Sequence, residues 1–260
     1  MVQTTASPNR PSRRILHIFY AWGSSPGFYR LAERLRPWLA AGAVGLLSWG
    51  WIWGLFWAPA DFRQGDSVRI IYIHVPAVST AMAMYLLLAV CGLLTLIWRV
   101  KIASVLGRAI APIGAWMTAL ALISGAIWGR PTWGAYWIWG DPRLLSTLLL
   151  LLLYLGYSAL QRAFSRPEQG ERMAAILAII GSINLPVIRY SVEWWNSLHQ
   201  TSTFTVTSAP AMETSMALPL LPSLFGVWCL CALCVLLRAQ AQLLEREAGS
   251  NWQRESLAGA

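Results

Sequence analysis

The chain has 260 residues, of which 57% are hydrophobic and only 12% carry a charge, and its mean hydropathy is +0.51. Soluble domains use about 25% charged residues, so this composition excludes an ordinary soluble domain and indicates a protein that lies in a membrane. The net charge of +9 is then explained by basic residues beside membrane spans, and no nucleic-acid partner is predicted.

Six apolar segments predict an all-α, polytopic membrane protein with six transmembrane helices, because each can cross about 30 Å of hydrocarbon. In chain order the segments are 38–58, 70–98, 109–128, 144–161, 173–190 and 214–237. They predict a cytoplasmic N-terminal tail with an interfacial helix over 1–37, a six-helix membrane domain over 38–238, and a cytoplasmic C-terminal tail over 239–260.

The distribution of basic residues predicts the orientation of these spans. With a cytoplasmic amino terminus, 15 of the 20 Lys and Arg residues lie on the inner side, which satisfies the positive-inside rule and leaves both termini in the cytoplasm. The outer loops are then 59–69, 129–143 and 191–213. We therefore expect a multi-pass membrane protein, surrounded by membrane lipid, whose outer loops face away from the cytoplasm.

Two of the three histidines fall at the predicted outer face. His74 lies near the beginning of the long second segment, and His199 lies in the last outer loop. Neutral imidazole is a standard axial ligand of heme iron, so two imidazoles from separate elements can hold one heme between them. An interfacial histidine that only hydrogen-bonds a neighbour is the alternative for each.

The outer loop between the third and fourth segments is rich in tryptophan. Four of the 16 tryptophans lie within twelve positions there: Trp128, Trp133, Trp137 and Trp139. If part of the loop is helical, Trp133 and Trp137 share a face, and Gly134 leaves room for a flat ligand such as a porphyrin. An aromatic belt at the membrane interface is the alternative.

Two outer arginines are candidates for the heme propionates, which require cationic donors. Arg69 precedes His74 by about a turn and a half of helix, and Arg143 follows the tryptophan-rich loop beside Asp141. Interfacial snorkelling is the alternative for each. The outer acidic residues have no accompanying nucleophile, and the sequence has no phosphate loop or metalloprotease motif, so no enzyme is predicted.

Three stretches carry a resemblance to a known family. They are I-H-V-P at 73–76, W-G-A-Y-W-I-W at 133–139 and S-V-E-W-W-N-S-L-H-Q at 191–200. Over roughly residues 17–240 the chain resembles CcmC, the heme-handling membrane proteins of cytochrome c maturation, within the tryptophan-rich WWD superfamily. The resemblance implies a protein of the bacterial inner membrane whose outer loops face the periplasm. It also implies heme b, bound transiently at the periplasmic side, with His74 and His199 as axial iron ligands and the tryptophan loop against the heme.

The resemblance also implies partners: the heme chaperone CcmE, the transporter subunits CcmA and CcmB, and the small membrane protein CcmD. One position departs from the family's pattern, in which W-x-W-D is followed by A-R-L. Here Gly140 stands after Trp139, so Asp141 lies one position later, although D-x-R-L is kept through Arg143.

The sequence therefore predicts a non-enzymatic protein that binds heme and delivers it. The predicted site residues are His74, His199, Trp133, Gly134, Trp137, Trp139, Asp141, Arg143 and Arg69. Two other functions remain open. A transporter or permease subunit usually has polar groups near mid-membrane, which these spans almost lack. A membrane b-type electron carrier would have histidine pairs buried between helices and a stably held heme.

Overall fold

The structure is a computed structural model that describes residues 23–195, 197–199 and 212–258. Predictions for the first 22 residues, for position 196, for the stretch 200–211 and for the last two residues lie outside this part. The described residues form helices and no sheet, and six helical stretches are long and apolar enough to cross a membrane, as predicted. These are Ser25–Trp57, Asp66–Trp98, Lys101–Trp133, Pro142–Leu160, Pro167–Trp194 and Thr214–Arg246.

Individual helices are numbered here in chain order. They are α1 (Ser25–Ile52), α2 (Ile71–Trp98), α3 (Lys101–Trp133), α4 (Pro142–Leu160), α5 (Pro167–Gly181), α6 (Asn184–Trp194), α7 (Thr214–Ala217), α8 (Leu220–Arg246) and α9 (Asn251–Ala258). A π-helical turn, Trp53–Trp57, continues α1, and a 3-10 turn, Asp66–Ile70, leads into α2.

Several helices extend beyond the apolar segments that predicted them. α1 begins at Ser25, where Ser24 caps it, and passes through Pro37 without a break. The predicted interfacial helix and first span are therefore one continuous helix within the described residues. α3 extends past both ends of the predicted 109–128 segment. Hydropathy detects only the part of a helix that hydrocarbon surrounds, whereas helical hydrogen bonding continues into the polar interface.

Two spans are interrupted close to their prolines. The fifth span breaks at Ser182–Ile183, just before Pro186, and the sixth breaks at Leu218–Pro219. Proline removes a backbone donor and collides with the preceding turn, which favours a break at these two points, although α1, α2 and α3 continue through Pro37, Pro76 and Pro112.

The core of the bundle is built on α2 and α3, which pack against each other, while α1 packs mainly on α8. Because only the turn 99–100 joins them, α2 and α3 are antiparallel neighbours. The beginnings of α2 and α4 therefore lie at the same end of the bundle as the ends of α3 and α6; we call this the site end. The beginnings of α3 and α5 and the end of α8 lie at the other end, which we call the basic end.

Candidate functional site

His74 lies in the first turn of α2, with its ring against α3. Its Nδ1 is 3.0 Å from the Ser124 hydroxyl, and that hydroxyl donates to the Leu120 carbonyl at 2.6 Å. A serine has one hydroxyl proton, so Ser124 accepts from the Nδ1–H of His74. This hydrogen bond fixes the tautomer and leaves a lone pair on Nε2, for which the described residues provide no donor.

Small and aromatic residues of α3 shape the space around this imidazole. A Cβ on Gly125 would lie 2.9 Å from the His74 Cε1, so only glycine allows the ring to pack this closely. The Trp128 ring meets the imidazole edge-on at 5.7 Å between centroids. The indole of Trp128 is itself fixed, since its N–H donates to the Gln64 side chain at 2.8 Å.

His199 is held by Asp141 and Ser197. Its Nδ1 lies 3.2 Å from one carboxylate oxygen of Asp141 and 3.2 Å from the Ser197 hydroxyl. The Ser197 hydroxyl donates to Asp141 at 2.7 Å, and the backbone N–H of Leu198 donates to the same oxygen at 3.2 Å. A carboxylate beside Nδ1 favours the tautomer in which Nε2 carries the lone pair, an arrangement that commonly orients metal-binding histidines.

Asp141 is also the N-cap of α4. Its side chain accepts from the backbone N–H groups of Arg143 and Leu144, each at 3.0 Å, and Pro142 occupies the first turn. Aspartate followed by proline is a common helix beginning. Burial would raise the pKa of Asp141, but hydrogen bonds from Ser197, Leu144 and Leu198 and the neighbouring His199 outweigh it and lower the pKa. The carboxylate therefore stays ionised at neutral pH.

The electrostatics around His199 favour a neutral ring. Burial lowers its pKa below the ordinary value of 6.5, the Asp141 carboxylate opposes this effect, and the Arg143 charge adds to it. Both imidazoles lie at the site end, His74 in the first turn of α2 and His199 beside the N-cap of α4. A neutral imidazole is the form that binds a metal.

The tryptophan-rich loop is not helical beyond Trp133. Gly134 ends α3 with φ of +79°, a left-handed conformation that glycine adopts without strain. The shared face expected for Trp133 and Trp137 is therefore wrong. Instead, the Trp133 ring meets the His199 imidazole at 4.5 Å, and the Trp137 ring meets Trp139 at 5.5 Å.

Exposure and bonding differ among the loop tryptophans. The Trp139 ring is 72% exposed, so most of its face is available to a ligand or to lipid. The indole N–H of Trp137 is buried and has no acceptor among the described residues. A buried donor without an acceptor is costly, which makes this group a candidate to meet an incoming acceptor.

The two candidate arginines lie in different surroundings. Arg143 is half-buried and donates to the Ser191 hydroxyl at 3.2 Å and to the Arg189 carbonyl at 3.4 Å, near the end of α6. Arg69 pairs with Asp66 at 2.9 Å and donates to the Leu55 carbonyl at 3.0 Å. The structure thus brings Arg143 close to the histidines, whereas the guanidinium of Arg69 is bound at the end of α1.

This arrangement suits a flat metal macrocycle better than a bare ion. The described residues contain no group of three or more His, Cys, Asp or Glu side chains that could hold a metal ion. Two oriented imidazoles from separate elements instead offer one donor each, beside indole faces and a guanidinium. A macrocycle supplies its own equatorial donors and needs only axial ligands from a protein.

Sequence reasoning did not single out three residues that orient the histidines: Ser124, Gly125 and Ser197. Small residues are frequent in membrane spans, so Ser124 and Gly125 had no distinguishing signal. Ser197 lies within the motif at 191–200, and its position two residues before His199 was the available clue.

Comparison with known proteins shows extensive similarity. Residues 18–254 match the family model described as CcmC, heme exporter protein C. The chain is 45% identical over 230 residues to heme exporter protein C of Escherichia coli K12, which covers 88% of this chain and 92% of that protein. The protein of the same name from Haemophilus influenzae is 42% identical over 86% of this chain and 91% of its own. That of Rhodobacter capsulatus is 38% identical over 89% of this chain and 96% of its own.

Proposed function

The chain belongs to the heme exporter protein C family, membrane heme-handling components rather than enzymes, and from that premise we propose that it binds heme at its site end and delivers it for cytochrome c maturation. The observation that carries the proposal is the pair of oriented imidazoles. His74 and His199 each have Nδ1 engaged by an oxygen of the protein, which leaves the Nε2 of each ring as the nitrogen for an external ligand.

In this proposal His74 and His199 are the axial ligands of heme b. The beginning of α2 supplies one ligand, and the loop held by Asp141 supplies the other. Because His199 lies in a loop, it can leave the iron without opening the helical core. Such a ligand suits transient binding, since release requires a local movement only.

The aromatic and charged neighbours receive the rest of the heme. Trp133, beside the His199 ring, and the exposed Trp139 contact the porphyrin. The buried indole N–H of Trp137 and the guanidinium of Arg143 are donors for the propionates, and Arg69 is a more distant candidate. Gly134 allows the chain to turn at the end of α3 so that the loop covers this region.

Delivery requires partners, for which we propose the Ccm system. The site end faces the periplasm in this proposal, and the heme chaperone CcmE takes the heme there. The transporter subunits CcmA and CcmB and the small protein CcmD complete the complex. The exposed aromatic surface at the site end supports contact with a partner, since Trp139, Trp194 and Trp195 are each more than half exposed.

The test compares the purified protein with a His74→Ala/His199→Ala double variant and with a His17→Ala variant, which removes the third histidine. We expect the Soret band and the heme content to be lost in the double variant and kept in His17→Ala. An unchanged Soret band in the double variant would exclude these ligands. Added soluble CcmE should remove heme from the wild-type protein. A heme that stays bound in the presence of excess CcmE would instead indicate an electron carrier.

A further inference from the structure

A cavity of about 510 Å³ lies at the basic end, opposite the histidines. It is open to the outside and is lined by the end of α2, the beginning of α3, the beginning of α5 and the end of α8. Five cationic side chains line it: Arg99, Lys101, Arg166, Arg172 and Arg246. Two carboxylates, of Glu168 and Glu171, also face it, so the lining carries an excess of positive charge.

Only part of this positive charge is neutralised within the protein. Arg246 pairs with Glu171 at 2.9 Å, and Lys101 pairs with Glu247 at 2.5 Å. Among the described residues, none of the other three arginines, at 99, 166 and 172, forms an ion pair. All three of these arginines are exposed, so their positive charges are accessible to an anion that enters the cavity.

Two helices direct their N-termini toward the same cavity. The first turns of α3 and α5 supply lining residues, and these helices have 33 and 15 residues. In these first turns Ala103 donates to the Val100 carbonyl and Gln169 to the Arg166 carbonyl, and Pro167 has no N–H. The remaining first-turn N–H groups carry the partial positive charge of a helix N-terminus. The backbone therefore adds to the positive potential that the arginines produce in the cavity. Helix N-termini combined with arginine side chains are suited to bind a phosphate group.

The chemistry of the lining identifies the class of ligand. It contains no aromatic residue, histidine or methionine, so it offers a porphyrin neither a stacking surface nor an iron ligand. Directly beside Arg99, the side chains of Ile97 and Trp98 are 61% and 65% exposed on the outside of a membrane-spanning helix. A basic cavity next to a lipid-facing surface can hold a phosphate headgroup while the acyl chains lie along the helix.

We propose that this cavity binds the phosphate headgroup of an anionic phospholipid from the leaflet at the basic end. The three unpaired arginines and the first turns of α3 and α5 hold the phosphate oxygens. The bound lipid joins the loop between α2 and α3 to the loop between α4 and α5, and so stabilises the end of the bundle that has no part in holding heme.

The first test uses the wild-type protein in nanodiscs of phosphatidylcholine, with and without phosphatidylglycerol or cardiolipin, followed by native mass spectrometry. We expect anionic lipid to be retained at least about tenfold over phosphatidylcholine. Retention of both lipid classes in proportion to their supply would overturn the proposal.

The second test compares an Arg99→Gln/Arg166→Gln/Arg172→Gln variant with an Arg162→Gln/Arg238→Gln control, whose arginines do not line the cavity. The triple variant should lose the preference for anionic lipid, and the control should keep it. Circular dichroism and gel filtration verify that the triple variant and the control are folded. If the triple variant does not fold, the lipid preference of the wild-type protein in the first test still decides the proposal. Displacement of the retained lipid by inorganic phosphate at millimolar concentration would identify a soluble phosphate compound as the ligand and overturn the lipid assignment.

Discussion

Asp141 joins the tryptophan-rich loop, α4 and the His199 loop through one carboxylate. One of its oxygens caps the helix, and the other accepts from Ser197 and Leu198. In the sequence Asp141 stands one residue later than in the family's pattern, so its position relative to the tryptophans of the loop could not be predicted. An N-cap position depends on the residue that follows it rather than on Trp139, and Pro142 determines where α4 begins.

A comparison of Asp141→Asn with Asp141→Ala separates these two roles. Asparagine caps a helix as well as aspartate does, whereas alanine costs about 1 kcal/mol of stability. Both variants remove the charged acceptor that makes the His199 imidazole a stronger electron donor, so both should raise the reduction potential of the bound heme. Thermal unfolding measures the loss of stability, and potentiometry measures the reduction potential.

The control is Asp61→Asn, because Asp61 caps backbone N–H groups of another turn at the site end without contacting a histidine. It should leave the reduction potential unchanged. If the potential in both Asp141 variants equalled that of the wild type, Asp141 would not orient an iron ligand.

The pKa of His199 predicts how heme binding depends on pH. A proton competes with iron for Nε2, so binding through His199 is complete above the pKa and is lost as the pH falls through it. Burial and Arg143 lower that pKa below 6.5, so binding persists into mildly acidic solution. Replacement of Arg143 by glutamine removes one lowering influence, and the pH of half-maximal binding should rise.

This titration is followed at the Soret band in a His74→Ala background, where His199 is the remaining member of the pair. Arg189→Gln is the matched control, since Arg189 lies nearby and does not contribute to the shift of the His199 pKa. If the pH of half-maximal binding rose equally in both variants, loss of any positive charge at the site end would be sufficient to cause the rise, and Arg143 would have no specific effect.

The second half of α3 positions both histidine regions. Ser124, Gly125 and Trp128 contact the His74 side chain, and Trp133, at the last turn, contacts His199. The sequence predicted the existence of this helix from its apolar run. It did not predict which face meets α2, because an almost uniformly apolar span has little periodicity to distinguish its faces.

We expect Gly125→Ala to displace the His74 ring, because the new Cβ would lie 2.9 Å from Cε1. A displaced axial ligand should reduce heme affinity by about tenfold or more, as loss of an orienting partner does. Heme titration of the purified variant, monitored at the Soret band, measures the affinity.

Gly45→Ala is the matched helical control, because a Cβ at that position has no heavy atom within 4 Å. Its heme affinity should equal that of the wild type, and its helix should gain about 0.5–1 kcal/mol. Wild-type affinity in Gly125→Ala would mean that the ring can shift without loss of binding, and that α3 does not define its position.

At the scale of the whole molecule, the two ends of the bundle differ in chemistry. Aromatic rings and imidazoles lie at the site end, and unpaired arginines surround a cavity at the other. The sequence predicted six spans and this asymmetry of basic residues because hydropathy and charge are local properties. The contact between Asp141 and His199 joins residues 58 positions apart, and such pairings depend on packing that one sequence does not reveal.

The asymmetry predicts that the site end faces the periplasm, since basic loops are retained in the cytoplasm. Phe62, at the site end, is fully exposed, and Gln169 is an exposed residue at the basic end. In whole cells treated to open the outer membrane only, a membrane-impermeant thiol reagent should label Phe62→Cys. It should label Gln169→Cys only after the inner membrane is also permeabilised.

The native cysteines give this experiment a low background, because all four lie within membrane-spanning helices and Cys91 and Cys231 are buried. The wild-type protein therefore serves as the unlabelled control. Labelling of Gln169→Cys before Phe62→Cys would mean that the bundle has the opposite orientation. The histidines would then face the cytoplasm. Heme bound to them would have to cross the membrane before a periplasmic chaperone could receive it.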